Sequence, residues 1–194
     1  MIRILFTLLL MLPLLATAAE DVPVQTLTEE ELESFEFSEQ EDENPPEIEE
    51  LSVGQRYILS TQRREIKELI ARELGIMSLR GDASDLPTIQ RLYDRKVLRE
   101  DDVREWQAVG VLFGDILVEE YDFEWVSYED DLGVSKALRW RDTNNFVFPV
   151  TVFSKRIQFG QDIDAEAIYD KIKGDIERFI AYEQRRRELG LGSS

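Results

Sequence analysis

The stretch VREWQAVGVLFGDILVEEYDFEWVSYED, which covers residues 103–130, decides the fold class. Up to Tyr121 its large apolar residues, among them Trp106 and Phe113, recur at the spacing of one face of a helix. After Asp122 apolar and polar residues alternate, which is the pattern of a β-strand. A long helix followed directly by a strand predicts a domain that combines helices with a sheet.

Two more helices are predicted before this stretch. The first begins at Ser52, which can form a capping box with Gln55, and ends at Gly75. The second begins after Asp85 and carries Pro87 in its first turn, where a proline fits a helix. The packed face of the first helix is predicted to carry Tyr57, Ile66, Leu69, Ile70 and Leu74.

Three antiparallel strands and two helices are predicted after residue 122. Turn-forming residues at 130–133 and 142–145 separate the strands, and a proline ends the third because it cannot donate a ladder hydrogen bond. A short helix over 151–159 and a long helix that opens near Asp162 or Asp164 follow. The predicted fold class is α+β: three N-terminal helices, a three-stranded antiparallel sheet, then a short and a long helix, with helices on one sheet face.

Residues 1–19 have the layout of a signal peptide. One charge, Arg3, precedes an unbroken apolar run over 4–15 and small residues at 16–19. The apolar run is shorter than the roughly 20 residues that a helix needs to cross a bilayer. We therefore expect cleavage near Ala18 or Ala19 and a mature protein without a membrane span, which is periplasmic or secreted.

The charge of the chain is concentrated in residues 20–50. The chain has 41 acidic and 23 basic residues, a net charge of −18, and this segment holds 14 of the acids and no lysine or arginine. Such a composition predicts an acidic disordered segment, followed by a single domain over 51–190 and a flexible tail over 191–194. Two roles for the segment stay open, a lure for basic partners and a solubilising linker. The acidic composition argues against nucleic-acid binding.

The sequence contains no cysteine and no histidine. Their absence excludes disulfides, thiol nucleophiles, imidazole bases and the usual hydrolase triads. We therefore predict no catalytic residue, no metal site and no cofactor. The sequence favours a protein that is not an enzyme. Carboxylate or lysine chemistry remains open.

Four charged residues form a candidate binding or ion-pair site. Asp115 is predicted to lie inside a helix beside its packed face, where a carboxylate needs a partner, and Lys155 or Arg156 could provide it. Glu129, in the predicted first hairpin, could add a second carboxylate. One interpretation is a pocket for an anion or polar ligand at the junction of helix and sheet, and the other is a structural ion pair.

Trp140 is a candidate partner surface because it stands between Arg139 and Arg141. On an exposed sheet face these three residues would form a cation-π and aromatic contact surface for docking. Gly110 and Gly114, four residues apart, share one helix face and predict a dense contact, which we assign to Trp125.

Five short motifs together suggest a family. They are LFGD at 112–115, FEWV at 123–126, EDDLG at 129–133, FP at 148–149 and SKR at 154–156. In their order and spacing the chain resembles the bacterial family known only as domain of unknown function 3806, over roughly residues 51–170. The resemblance implies an exported protein and a shared fold, and it supplies no catalytic residue.

The sequence as a whole favours an exported, non-enzymatic protein-binding module with an acidic disordered N-terminal segment. Its expected partner is another exported protein. The alternative is a small-ligand receptor, or an enzyme that needs neither histidine nor cysteine, with a pocket around Asp115, Glu129, Lys155 and Arg156. The sequence indicates no oligomeric state.

Overall fold

Five helices and four strands make up most of residues 45–189, the part of the chain that the computed structural model describes. In chain order the elements are β1 (Glu47–Glu50), α1 (Val53–Leu74), α2 (Leu86–Asp94), α3 (Val103–Tyr121), β2 (Phe123–Asp130), β3 (Gly133–Trp140), β4 (Phe146–Val147), α4 (Val152–Gln158) and α5 (Ala165–Glu188). Short 3-10 turns at Ala83–Asp85 and Pro149–Thr151 lead into α2 and α4. The predicted α+β class and the predicted order of the helices are therefore confirmed.

Both predicted ends of α1 are confirmed. The Ser52 hydroxyl accepts a hydrogen bond from the Gln55 backbone at 3.2 Å, and the Gln55 side chain accepts one from the Ser52 backbone at 2.8 Å. At the other end Gly75 adopts φ +70°, a left-handed conformation that suits glycine. The prediction for Tyr57 is wrong, since this side chain is 68% exposed while Leu59 is buried. Side chains two residues apart on a helix point in directions that differ by about 200°. Tyr57 therefore points away from the packed face on which Leu59 lies.

Within residues 45–189 the sheet has four strands in the order β1-β2-β3-β4, all antiparallel, instead of the three that were predicted. The additional strand, β1, pairs with β2 from Glu47 opposite Glu129 to Glu50 opposite Val126. The predicted disorder is therefore wrong for residues 47–50, and the domain starts before residue 51. Pairing satisfies the backbone groups of this acidic strand that face β2, while its carboxylates stay in solvent.

Several sequence predictions concern residues outside the described range. They are the signal peptide over 1–19, the disorder of residues 20–44 and the flexible tail over 191–194. Between residues 45 and 189, no helix combines enough length and apolarity to cross a membrane.

The main core lies between the helices and one face of the sheet. Phe123 and Trp140 face each other across β2 and β3, and both rings pack against Phe179 of α5, at 6.0 and 5.7 Å between ring centroids. Phe113 of α3 is fully buried and meets Phe153 of α4 at 5.4 Å. These contacts hold α3, α4 and α5 on one side of the sheet.

Helix α3 approaches its neighbours through two glycines. A Cβ atom at Gly110 would lie 2.6 Å from the Val150 carbonyl oxygen, and one at Gly114 would lie 2.5 Å from Cζ2 of Trp125 and 2.7 Å from Cγ of Pro149. Such distances are shorter than any ordinary contact, so only glycine permits this packing. The predicted contact between this glycine face and Trp125 is confirmed at Gly114.

We expect Gly114→Ala to lower the free energy of unfolding by about 1–3 kcal/mol, because the added methyl group overlaps the Trp125 ring. Gly174→Ala is the matched control, since Gly174 lies in α5 and a Cβ there would meet no atom within 4 Å. The control should raise stability by about 0.5–1 kcal/mol, because alanine favours the helix. Urea unfolding of both variants tests the contact, and equal effects would contradict it.

Candidate functional site

Asp115 of α3 is a partly buried carboxylate that accepts three hydrogen bonds from side chains. Arg63 of α1 donates two hydrogen bonds to it, from Nε to Oδ2 at 2.6 Å and from Nη2 to Oδ1 at 2.7 Å. The indole Nε1 of Trp125 donates a third, to Oδ1 at 3.1 Å. Both side chains of the ion pair are little more than a quarter exposed, at 28% for Arg63 and 27% for Asp115. The pair therefore joins α1, α3 and β2 through one carboxylate.

The predicted partners of Asp115 are wrong. Arg156 donates to the Val152 carbonyl of its own helix at 2.6 Å, and Lys155 is exposed. Within residues 45–189, neither cation lies in an ion pair with a carboxylate. Arg63 replaces them because α1 packs on α3. Its position one helical turn after the buried Leu59 is the sequence signal that could have identified it.

The structure separates Glu129 from this site as well. Glu129 is exposed and lies opposite Glu47 and Val134 in the sheet. It stands four residues beyond Trp125, about 13 Å along the same strand. The four residues of the predicted pocket therefore do not come together around Asp115.

Trp140 is not an exposed docking residue, since only 3% of its surface is accessible. Its place opposite Phe123 puts it on the sheet face that the helices cover. The predicted cation-π contact is present, because the Arg141 guanidinium carbon lies 4.8 Å from the ring centroid, and Arg141 also pairs with Asp122 at 3.1 Å. Arg139 points to the other sheet face and donates to the Thr143 carbonyl at 2.9 Å. These contacts tie each of the three residues to a different part of the folded domain. Trp140, Arg139 and Arg141 therefore do not form one shared docking surface.

An aromatic cluster lies on the opposite face of the sheet, which we call the outer face. It consists of Tyr128 on β2, Phe146 on β4 and Phe148 just after β4. Tyr128 lies 5.0 Å from each phenylalanine ring, and both pairs meet edge to face. Phe148 is 41% exposed, and Ile48 pairs with Tyr128 from β1. This cluster was not predicted from the sequence, although the alternation along β2 already places Tyr128 on the sheet face opposite to that of Trp125.

A second polar cluster joins α5 to α3. The Tyr169 hydroxyl donates to Glu120 Oε2 and lies 3.3 Å from the Tyr121 hydroxyl, while Glu120 Oε1 accepts from the Ala83 backbone at 3.0 Å. Burial, followed by the hydrogen bond to the Glu120 carboxylate, raises the pKa of Tyr169 well above its ordinary value. These contacts are typical of a structural clamp between helices.

Metal ligands do not cluster in the described part of the chain. Between residues 45 and 189, no group of three or more aspartate or glutamate side chains could hold a metal ion.

We expect Arg63→Met and Asp115→Asn each to lower the free energy of unfolding by about 1.5–3 kcal/mol, because each leaves a charged partner half-buried without its hydrogen bonds. The double variant should lose less than the sum of the two single changes. Arg64→Met is the control, since Arg64 lies 4.0 Å from Glu68 in an exposed pair and should change stability by about 0.5 kcal/mol at most. Additive losses in chemical denaturation would contradict the pairing.

We expect the stability of the protein to fall as pH rises above about 10, in part through Tyr169. The unfolded chain loses this proton near the ordinary pKa of 10.0, whereas the folded chain holds it to higher pH, so folding is disfavoured in between. Tyr169→Phe should make the loss of stability between about pH 9 and about pH 10.5 smaller, measured by urea unfolding. Tyr182→Phe, at a side chain that is 55% exposed, should leave the loss unchanged. This explanation would be overturned if the Tyr169→Phe variant lost as much stability over this pH range as the wild type does.

Comparison with known proteins gives one structural likeness and one match to a family model. No curated protein matches it. A crystal structure from Bacteroides thetaiotaomicron VPI-5482 has a similar fold, with a TM-score of 0.59 and 22% sequence identity. The similarity covers 66% of this chain and 47% of that chain, so this chain spans about half the length of that protein.

The family comparison concerns the centre of the chain. Residues 85–169 match a family described as a domain of unknown function, DUF3806. The match runs from the start of α2 into α5 and includes Asp115, the β2–β3 hairpin and the outer-face aromatics. The resemblance inferred from the five sequence motifs is thus confirmed over residues 85–169, which are similar to the DUF3806 family.

Proposed function

We propose that this chain is an exported, non-enzymatic protein-binding module that docks a partner on the outer face of its sheet. The observation that carries the proposal is the aromatic cluster of Tyr128, Phe146 and Phe148. Aromatic side chains supply much of the binding energy in protein interfaces because they bury a large area with few rotatable bonds. Export is proposed from the signal-peptide layout of residues 1–19.

The expected partner is an exported protein with an apolar patch and a basic rim. Glu50 and Glu124 are exposed on the same face as the aromatic cluster. Residues 47–50, the last four of the segment with 14 acidic residues, form β1, in which Ile48 lies opposite Tyr128. Negative charge around an apolar centre favours a partner of complementary charge and speeds its association.

The charged groups of the interior support a binding role better than a catalytic one. The two oxygens of Asp115 already accept three hydrogen bonds, and Tyr169 is bound to Glu120. A general base or nucleophile has to be available to a substrate, whereas these groups are occupied by other side chains. A pocket formed by Asp115, Glu129, Lys155 and Arg156 is therefore not part of this proposal.

We expect Phe148→Ala to reduce capture of the partner at least tenfold from an extract of exported proteins, since loss of a central aromatic residue typically costs more than about 2 kcal/mol of binding energy. Phe159→Ala is the matched control, because Phe159 is 78% exposed after α4 and away from the sheet. The control should capture the same protein as the wild type. Equal capture by the two variants would exclude the outer face as the docking surface.

The same capture experiment can test the role of the acidic segment independently of the aromatic cluster. A chain that begins at Glu20 and one that begins at Pro45 both retain β1, so they differ only in the charged segment. If the segment steers a basic partner, its removal should weaken capture at low salt and have little effect above about 0.5 M salt. Equal capture at low salt would assign the segment a solubilising role instead.

A further inference from the structure

A cavity of about 140 Å³ lies where α1, α2 and α3 meet, on the helical side of the molecule. Its apolar wall is formed by Ile70, Leu79, Ile89, Leu112 and Ile116. Three of these residues, Ile70, Ile89 and Ile116, are at most 2% exposed, so the wall belongs to the core. A cavity of about 150 Å³ with such a lining holds a benzene ring, which sets the size of a ligand.

The two acidic side chains that line this cavity already accept hydrogen bonds from other groups of the protein. Asp115 accepts the three hydrogen bonds from Arg63 and Trp125. Asp85, which is 9% exposed, accepts a hydrogen bond from the Gly81 backbone at 2.6 Å. The charge of Asp115 is therefore balanced by Arg63, and the Asp85 carboxylate is held by a backbone donor of the chain itself.

The two basic side chains at the opening of the cavity are less closely paired with carboxylates. Arg80 lies 3.6 Å from Asp82 in an exposed pair. Lys67 of α1 is exposed, and no carboxylate in residues 45–189 lies within ion-pair distance of it. The side chain of Thr88, 8% exposed, adds a hydroxyl to the lining. The cavity thus combines an apolar interior with two basic side chains at its opening, of which Lys67 has no ion-pair partner among residues 45–189.

We propose that this cavity binds a small monocarboxylate whose apolar body, of about six carbons, fills the interior. The ligand carboxylate meets the Lys67 ammonium group at the opening, where it remains partly in water and keeps part of its hydration. A strongly hydrated anion such as phosphate would gain nothing from the apolar wall.

Benzoate is the probe of choice because its ring matches the cavity, and benzyl alcohol is its neutral counterpart. Both are titrated into the mature chain that begins at Glu20, and the methyl NMR signals of Ile70, Ile89 and Ile116 report occupation. We expect saturable shifts with benzoate and weaker binding of benzyl alcohol. Lys67→Met should weaken benzoate binding about fivefold, the contribution of one partly exposed ion pair, and change benzyl alcohol binding less than twofold.

Lys155→Met is the matched control, because Lys155 is an exposed lysine on α4 that does not line the cavity. It should bind benzoate as the wild type does. The proposal is overturned if benzoate produces no saturable shifts at the three isoleucines, if it binds no better than benzyl alcohol, or if Lys67→Met and Lys155→Met have the same effect. None of these outcomes bears on the outer face, since the partner-capture experiment with Phe148→Ala is independent of the cavity.

Discussion

The close approach of backbone and indole to α3 at Gly110 and Gly114 determines where the other elements lie. The carbonyl of Val150 rests against Gly110, and the ring of Trp125 rests against Gly114. The first contact fixes the turn that leads into α4, and the second fixes β2. Because Trp125 is held in this place, its Nε1 reaches Asp115. The position of the sheet and the orientation of the partly buried Asp115 carboxylate thus have a common origin.

Asp115 extends this arrangement to the first helix. Its bidentate pair with Arg63 ties α1 to α3, and the same carboxylate forms part of the cavity lining between α1, α2 and α3. Because the Asp115 carboxylate accepts three hydrogen bonds from the protein, it is held in one orientation and forms a rigid part of the cavity lining. The interior charges therefore shape the sites of this protein, while its exposed aromatic and basic groups remain available for recognition.

The parts of the fold that local chemistry specifies could be predicted from the sequence. The limits of α1 follow from the capping box at Ser52 and from the left-handed glycine at residue 75, and both signals lie within a few residues. The contact of Gly114 with Trp125 was also predictable, because two small residues on one helix face need a bulky neighbour. Such signals depend little on the rest of the chain.

Contacts between distant residues could not be predicted in the same way. The pairing of Asp115 with Arg63 spans 52 positions, and the choice between Arg63 and Lys155 depends on which helix packs beside α3. The burial of Trp140 follows from its place opposite Phe123, which only the hairpin register reveals. Strand β1 was missed because four residues with three carboxylates resemble the acidic segment that precedes them.

Strand β1 also affects how the protein behaves towards copies of itself. Among the described strands it is an edge strand, and it covers the backbone of β2 from Val126 to Glu129. Without it, the hydrogen-bonding groups of β2 would lie open beside an aromatic face, which is a template for strand addition between molecules. Glu47, Glu49 and Glu50 instead present negative charge along that border. The last residues of the acidic segment therefore act as a barrier to aggregation that is built into the sheet itself.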